Sequence, residues 1–268
     1  MKNKIIDCIT FFDENFIFDL RYNILNEYVD KFVICESQFD HKGRKKKLNF
    51  KPKNEIMCKK IHYLILEEPF PKKNNAWQNQ ALQRDYILKN INFVSDEDYI
   101  FFSDPDEIPN PEILKNFSLK KKYGIMMQKF FNFKINLFNQ YESPWEGTRV
   151  AKKKDLKSID YMRQKIKKKN LIFNFFKIDK QKRIEIFEDA GWHFNNIMDP
   201  GKISMKLKSF AHEEFSTNQY SSVEVIKKKI DNKTDLFGRG HLYKKIEIDK
   251  SFPKYIRDNL KEFKKFII

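Results

Sequence analysis

Three carboxylates that could do chemistry lie within the segment Ser103–Pro109 (SDPDEIP). The two prolines of this segment exclude a regular strand or helix interior, so it forms a rigid turn on which Asp104 and Asp106 can converge. Divalent cations such as Mn²⁺ and Mg²⁺ bind carboxylate oxygens, and a bound diphosphate supplies further ligands. The pattern therefore predicts a metal site at Asp104 and Asp106. The alternative is a structural turn, in which Asp104 caps the backbone and Asp106 and Glu107 are solvated.

An apolar, aromatic run precedes these acids at Tyr99–Phe102 and predicts a short buried strand. Two earlier runs, Lys4–Phe12 and Lys31–Cys35, are separated by a helical pattern with Asp13 as the expected N-cap. Strand, helix and strand in this order predict a βαβ unit with parallel strands. Ligands of open α/β sheets bind at the carboxyl ends of the strands, so we expect the acids to face a ligand site.

The first two predicted strands end near Thr10, Phe11 and Glu36. Because the carboxyl ends of parallel strands share one edge of the sheet, we expect these residues to surround a bound nucleotide. Glu36 can accept hydrogen bonds from a ribose or a base. The alternative is that Glu36 pairs with a neighbouring basic group.

A helix predicted at Ala76–Asn90 places Trp77, Ala81, Arg84 and Leu88 on one stripe that faces the protein interior. A guanidinium in that position requires an anion, because an unpaired buried charge is costly. The partner of Arg84 is either a structural carboxylate or the diphosphate of a substrate.

A loop predicted at Asn139–Val150 carries Trp145 and Glu146. A tryptophan ring can stack on a sugar and a carboxylate can accept hydrogen bonds from its hydroxyl groups, so the loop favours a sugar site. The alternative is a surface tryptophan that packs over the core. Near the C-terminus, residues 256–267 carry an apolar stripe that predicts an amphipathic helix, which packs on the core or lies on an anionic membrane.

The composition is that of a folded α/β protein with a basic surface. The chain has 268 residues, 41% of them hydrophobic and 34% charged, with a net charge of +16. Basic runs such as Lys42–Lys47 attract polyanions, but neither zinc-finger spacing nor an aromatic-interleaved RNA motif is present, so we expect no nucleic acid partner. The three cysteines lack metal spacing, and no signal peptide or long apolar run is found. We therefore expect a cytoplasmic protein, soluble or peripheral to a membrane.

Several short segments form a specific combination when they are taken in chain order. They are TFFDE at Thr10–Glu14, Arg21, VDKFVICES at Val29–Ser37, AWxxxxxxR at Ala76–Arg84, SDPDEIP at Ser103–Pro109, AGWHF at Ala190–Phe194, and Lys206 with FAH at Phe210–His212. Together they resemble glycosyltransferase family 17, the family of the enzyme that adds the bisecting N-acetylglucosamine to N-glycans. Residues 140–182 match this family poorly and are expected to contact the acceptor.

The resemblance implies a GT-A-type nucleotide-sugar-binding fold, a Rossmann-like α/β fold with a mixed central sheet and C-terminal helices. It also implies a UDP-sugar donor, expected to be UDP-N-acetylglucosamine, a glycan acceptor, a divalent metal (Mn²⁺ or Mg²⁺) and inversion at the anomeric carbon. The residues expected around the donor are Thr10, Phe11, Arg21, Glu36, Trp77, Arg84 and Asp104. The metal is expected on Asp104 and Asp106, with His193 preferred over His212 as a further ligand.

Inversion requires one general base, which removes the proton of the acceptor hydroxyl on the face opposite the leaving group. The candidates are Glu107, Glu146, Asp189 and Glu213, and the sequence does not choose among them. Asp106, through the metal, is expected to stabilise the charge that develops on the diphosphate.

We expect one domain over residues 1–268, with a nucleotide-sugar-binding half at 1–138 and an acceptor-binding half at 139–268. Two other classes of protein fit parts of the pattern. A metal-dependent nucleotidyltransferase or nuclease also uses paired carboxylates, and a non-enzymatic polyanion-binding protein would explain the net charge of +16.

Overall fold

The computed structural model of the protein describes residues 2–166, 183–209 and 217–268. Within these ranges, eleven strands are joined in one sheet. The strands are β1 (Ile5–Phe11), β2 (Lys31–Ser37), β3 (Ile61–Leu66), β4 (Tyr99–Ser103), β5 (Glu107–Pro109), β6 (Tyr123–Asn132), β7 (Leu137–Phe138), β8 (Trp145–Lys152), β9 (Ile184–Phe187), β10 (Gly191–Asn195) and β11 (Lys244–Lys245). The helices are α1 (Asn15–Leu25), α2 (Glu55–Lys60), α3 (Ala76–Lys89), α4 (Pro111–Leu114), α5 (Ile159–Arg163), α6 (Pro200–Ser209), α7 (Asn218–Ser221), α8 (Val223–Asp231) and α9 (Lys254–Asp258).

Strands β3, β2, β1 and β4 lie side by side in that order, and all are parallel. The predicted βαβ unit is therefore confirmed. In the register of the sheet, Thr10 lies opposite Cys35, and Ile9 lies opposite Ser103. The carboxyl end of β1 thus comes level with the start of the acidic turn that follows β4.

The sheet is mixed because β8 runs antiparallel between β4 and β6. The prediction of a loop at Asn139–Val150 is therefore wrong over its second half, because the chain from Trp145 onward forms the central strand β8. Gly147 lies inside β8, where the side chain of Gln128 occupies the space that a Cβ atom would take. The two neighbouring strands satisfy the backbone of β8, and Val150 and Ala151 are fully buried.

Helices pack on both faces of the sheet. Phe18 of α1 and Ile256 of α9 belong to one apolar cluster, and Ile87 of α3 and Met162 of α5 belong to another. The prediction that Asp13 is the N-cap of α1 is wrong. The N-cap is Glu14, whose carboxylate accepts hydrogen bonds from the backbone N–H groups of two preceding residues, each at 2.9 Å.

The prediction of a C-terminal amphipathic helix over residues 256–267 is also wrong. Helix α9 ends after one turn at Asp258, and a short 3₁₀ turn follows at Lys264–Phe266. The apolar stripe still packs into the core, because Ile256 and Phe263 are buried. Within the described ranges, no helix is both long and apolar enough to cross a membrane.

Candidate functional site

A cleft of about 870 Å³ opens at the carboxyl ends of β1, β2 and β4. Eight of the residues proposed from the sequence line it: Thr10, Phe11, Trp77, Arg84, Asp104, Asp106, Trp145 and His193. They come from five separate segments of the chain, so the sheet and α3 bring them together. The prediction that Trp77 faces the protein interior is wrong, because half of its surface is exposed at the cleft.

Asp106 lies at the centre of the acidic turn. Its Oδ1 atom is 3.4 Å from Nε2 of His193, and its Oδ2 atom is 3.4 Å from Nζ of Lys206. The antiparallel pairing of β5 with β10 brings His193 to this position, because Glu107 and His193 are opposite each other in the register. Lys206 comes from α6, a hundred residues further along the chain.

The charge of Asp106 is stabilised by these neighbours. Burial raises the pKa of the Asp106 carboxyl, but Lys206 and then His193 lower it more, so the pKa lies well below its ordinary value. Burial alone would lower the pKa of the Lys206 ammonium, but Asp106 and Glu14 raise it above its ordinary value. Both side chains are therefore charged in the cleft at neutral pH.

Asp104 contacts two guanidinium groups. Its Oδ2 atom is 2.9 Å from Nη2 of Arg163, and its Oδ1 atom is 3.7 Å from Nη2 of Arg84. Burial raises the pKa of the Asp104 carboxyl, but these two arginines outweigh it, so the pKa is lowered. Arg84 also binds Asp160 at 2.9 Å, and thus has a structural carboxylate partner while it faces the cleft.

Glu107 is adjacent to Asp106 in sequence but lies beneath the cleft, fully buried. Its carboxylate accepts hydrogen bonds from Nε1 of Trp145 at 2.7 Å and from the guanidinium of Arg163. Its backbone carbonyl accepts a hydrogen bond from Arg21. Glu107 is therefore not among the cleft residues, and the prediction that it acts on the acceptor is not supported by its position.

Arg21, expected to contact the donor, is fully buried and does not line the cleft. Its Nε atom donates to Asp7 at 2.6 Å and its Nη2 atom donates to Ser103 at 2.9 Å. These bonds join α1 to β1 and to the carboxyl end of β4, where the acidic turn begins. Arg21 therefore holds the turn in place from within the core.

Glu36 is also fully buried and does not line the cleft. It accepts hydrogen bonds from the backbone N–H groups of Asn49 and Phe50, at 2.8 and 3.0 Å, and from the hydroxyl of Tyr63 at 2.8 Å. It also forms an ion pair with Lys46. Of the two alternatives for Glu36, the structure has the pairing with a basic neighbour.

Glu146 and Asp189, two candidates for the general base, do not line the cleft either. Glu146 binds Arg149 at 3.1 Å and the backbone N–H group of Ile166 at 3.0 Å. Asp189 lies on an exposed turn between β9 and β10 with a positive φ of 46°. The remaining candidates, His212 and Glu213, lie outside the described residues.

The charged residues that line the cleft without having been selected as site residues include Glu14, Glu142, Arg163 and Lys206. Lys206 and Glu14 stand in segments of the family resemblance, so a signal for them was present. Arg163 opens a lysine-rich run that resembles a solvated basic surface, and Glu142 lies in a region that matches the family poorly. Sequence reasoning had no local signal for these two.

The carboxylates of Asp104 and Asp106 fit a divalent cation as an anchor with two hard oxygen donors facing the cleft. Among the described residues, no group of three or more His, Cys, Asp or Glu side chains could hold a metal by itself. Further ligands would have to come from a diphosphate or from water. Nε2 of His193 faces Asp106, and its buried Nδ1 atom has no hydrogen-bond partner, so its role as a ligand stays a prediction.

The sequence model of glycosyltransferase family 17 matches residues 1–246. The chain belongs to this family. The expected GT-A-type α/β fold, with a mixed central sheet and helices in its C-terminal part, is confirmed for this glycosyltransferase. No curated protein matches the chain in sequence at a significant level.

Several solved structures are similar at low identity. Glucosyl-3-phosphoglycerate synthase from Mycobacterium tuberculosis, in complex with Mg²⁺ and UDP, is 13% identical over 71% of this chain and 70% of its own, with a TM-score of 0.36. A glycosyltransferase involved in the glycosylation of the major capsid of PBCV-1 is 11% identical over 69% and 82%, with a TM-score of 0.31. The inositol-1-phosphate CTP transferase from T. maritima is 13% identical over 70% and 86%, with a TM-score of 0.35. At these TM-scores, the similarities carry no argument about the reaction.

Proposed function

We propose that this glycosyltransferase is a metal-dependent, inverting enzyme that transfers N-acetylglucosamine from UDP-N-acetylglucosamine to a glycan. The observation that carries the proposal is the meeting of Asp104 and Asp106 with three cationic side chains, Arg84, Arg163 and Lys206, in one cleft at the carboxyl ends of parallel strands. Residues before and after position 139 line this cleft, in keeping with one domain whose two halves bind donor and acceptor.

The nucleotide end of the cleft lies beside β1 and α3. Thr10 and Phe11 are at the end of β1, and Trp77 exposes half of its surface at the first turn of α3. An exposed indole ring offers a flat apolar surface on which a base or a sugar ring can stack. Glu36 is fully buried and does not line the cleft, so Thr10, Phe11 and Trp77 are the residues proposed for the uridine.

The diphosphate is proposed to bind at the acidic turn. Asp104 and Asp106 would hold a divalent cation, which when bound supplies positive charge to the departing diphosphate. Arg84, Arg163 and Lys206 add fixed positive charge from the protein itself. Because these groups are largely buried, they do not reorganise when negative charge grows on the leaving group, which favours the transition state.

The acceptor is proposed to be a glycan that enters from the side of residues 139–268. The basic loop Lys42–Lys47, which contributes Lys46 to the cleft, suits an anionic acceptor or its carrier rather than nucleic acid. We propose contact with an anionic membrane only in the case that the carrier of the acceptor lies in that membrane.

The proposal is tested by release of UDP from a panel of UDP-sugars in the presence of Mn²⁺ or Mg²⁺. We expect UDP release from UDP-N-acetylglucosamine, abolished by excess chelator. A nucleotidyltransferase would instead make or break a phosphodiester bond and release diphosphate or a nucleoside monophosphate. Binding of duplex DNA that weakens with salt, without turnover of any UDP-sugar, would contradict the proposal in favour of a polyanion-binding protein.

A further inference from the structure

The general base of an inverting transfer must reach the acceptor hydroxyl, so its carboxylate must face the cleft. Glu107 is fully buried, and neither Glu146 nor Asp189 lines the cleft, so three of the sequence candidates fail this requirement. Glu142 lines the cleft and lies only four residues before Glu146.

The loop that carries Glu142 is joined to the acidic turn by a short series of contacts. The backbone N–H group of Phe130 donates to the hydroxyl of Ser143 at 2.8 Å. The ring of Phe130 stacks on His193, with 4.2 Å between the ring centroids. His193 in turn lies 3.4 Å from Asp106. One stacked pair of rings therefore separates the Glu142 loop from the carboxylate that is proposed to hold the metal.

The carboxylate of Glu142 is held in a fixed orientation. Its Oε2 atom accepts a hydrogen bond from the amide of Asn139 at 2.8 Å, and its Oε1 atom accepts one from Nη1 of Arg239 at 3.0 Å. Arg239 is itself held by Asp235, which is 1% exposed, at 3.2 Å. A quarter of the Glu142 side chain remains exposed, so the carboxylate is oriented without being sealed off.

The surroundings of Glu142 suit a sugar ring. Phe237 and Tyr243 line the cleft from the same loop region as Arg239. Next to Glu142, Tyr141 stacks on His241 with 4.2 Å between centroids, and 51% of Tyr141 is exposed. Aromatic faces of this kind pack against the apolar face of a pyranose, while a carboxylate accepts hydrogen bonds from its hydroxyls.

The other carboxylates that the described residues contribute to the cleft are engaged differently. Glu14 accepts two backbone N–H groups in the turn before α1. Asp40 binds Arg44 and the backbone of its own loop, and Asp160 binds Arg84 and Gln164. Asp104 and Asp106 belong to the proposed metal site.

We propose that Glu142 is the general base, within an acceptor subsite formed by the loops around residues 139–143 and 235–243. The assignment rests on the proposed function. Glu142 takes the proton of the acceptor hydroxyl, the acceptor oxygen forms a bond to the anomeric carbon, and the bond from that carbon to the β-phosphate oxygen breaks. The electron pair of the broken bond leaves with UDP, so the sugar inverts and one proton is left on Glu142.

The test compares Glu142→Gln with Arg239→Gln. The first variant keeps the size of the side chain but removes the base, whereas the second breaks the same ion pair and keeps the carboxylate. The rate of UDP release from UDP-N-acetylglucosamine is measured with water alone and with methyl β-mannoside and methyl β-glucoside as acceptor probes. UDP affinity is measured by calorimetry, and Glu112→Gln, at an exposed position of α4, is the control.

We expect Glu142→Gln to lower UDP release at least about a hundredfold, since general base catalysis contributes about 10²–10⁴-fold, with UDP affinity within a factor of two. Arg239→Gln should lose less than about tenfold, and Glu112→Gln should match the parent.

Activity of Glu142→Gln close to that of the parent would overturn the assignment while the proposed function stands. An equal loss in Arg239→Gln would assign the effect to the ion pair instead, and would also overturn it. A parent protein that releases UDP from no UDP-sugar would overturn the proposed function itself, and the assignment with it.

Discussion

Two groups of carboxylates lie at the carboxyl ends of the parallel strands. One group faces the cleft, and the other is buried beneath it. Asp104 and Asp106 face the cleft and contact mainly cationic side chains at 2.9 to 3.7 Å. Glu36 and Glu107 are fully buried. Glu36 accepts backbone N–H groups, and Glu107 binds Trp145 and an arginine.

The difference teaches that access of the carboxylate to the cleft separates a ligand site from its support. The cations around Asp104 and Asp106 also line the cleft, so a bound diphosphate could share them. Glu36 and Glu107 are themselves fully buried, where an unpaired charge is costly, so their bonds hold the fold. Adjacent residues such as Asp106 and Glu107 fall into different groups because Asp106 lies on the turn, whereas Glu107 begins β5, which is paired with β10 in the sheet.

The largest effect is expected for the support under the turn. Arg21→Ala removes the guanidinium that binds Asp7, and an uncompensated buried charge costs about 3–5 kcal/mol of unfolding free energy. Denaturant unfolding measures the loss. The control is Arg44→Ala, whose arginine side chain is 59% exposed and whose ion pair should contribute at most about 1 kcal/mol. Equal stability of the two variants would remove the distinction between support and site.

The next largest effect is expected for Asp106→Asn, and it concerns activity. Loss of the negative charge should lower UDP release at least about a hundredfold, which corresponds to ~2.7 kcal/mol of transition-state stabilisation. Excess chelator should reduce the parent to a similar rate. Asp189→Asn is the matched control, because Asp189 lies outside the cleft, and its rate should stay within about a factor of two of the parent. Near-parental activity of Asp106→Asn in saturating metal would contradict the metal site.

The contribution of a buried carboxylate to the stability of the fold can be tested at Asp235, because it should depend on pH. Burial raises the pKa of Asp235, but hydrogen bonds from the backbone of Arg239 and Phe237 and the Arg239 guanidinium lower it more, so the folded pKa lies below the ordinary value. The ionised carboxylate therefore stabilises the fold above its unfolded pKa of about 3.9, and this stabilisation is lost as the pH falls below that value. Asp235→Asn should cost roughly 1–3 kcal/mol at pH 7 and progressively less in acid, as measured by denaturant unfolding. A cost that stays constant with pH would show that the charge of Asp235 does not matter.

The smallest effect is expected for Asp104→Asn. The side chain of Asp104 is 36% exposed and that of Asp106 is 10% exposed, so the charge of Asp104 is better screened by solvent. UDP release should fall about tenfold, or ~1.4 kcal/mol. A loss in Asp104→Asn that exceeds the loss in Asp106→Asn would reverse the order proposed for the two acids.

Much of the fold could be predicted because its signals are local. Tyr99–Phe102 is a continuous apolar run that ends in a proline-bounded acidic turn, and Ala76–Lys89 carries a helical pattern with a capping box at Asn75. The parallel arrangement of the first strands follows from the helix between them. These features do not depend on distant parts of the chain.

The sequence by itself determined the acidic turn, the edge of the sheet on which it lies, and membership of family 17. Only the tertiary structure decided which carboxylates face the cleft and which charges meet there. Lys206 reaches Asp106 across 100 residues and Arg163 reaches Asp104 across 59, and no local pattern encodes such pairs. A one-residue step along a strand turns a side chain to the other face. Glu107 and Glu146, both plausible as bases in sequence, therefore do not line the cleft once β5 and β8 take their places in the sheet.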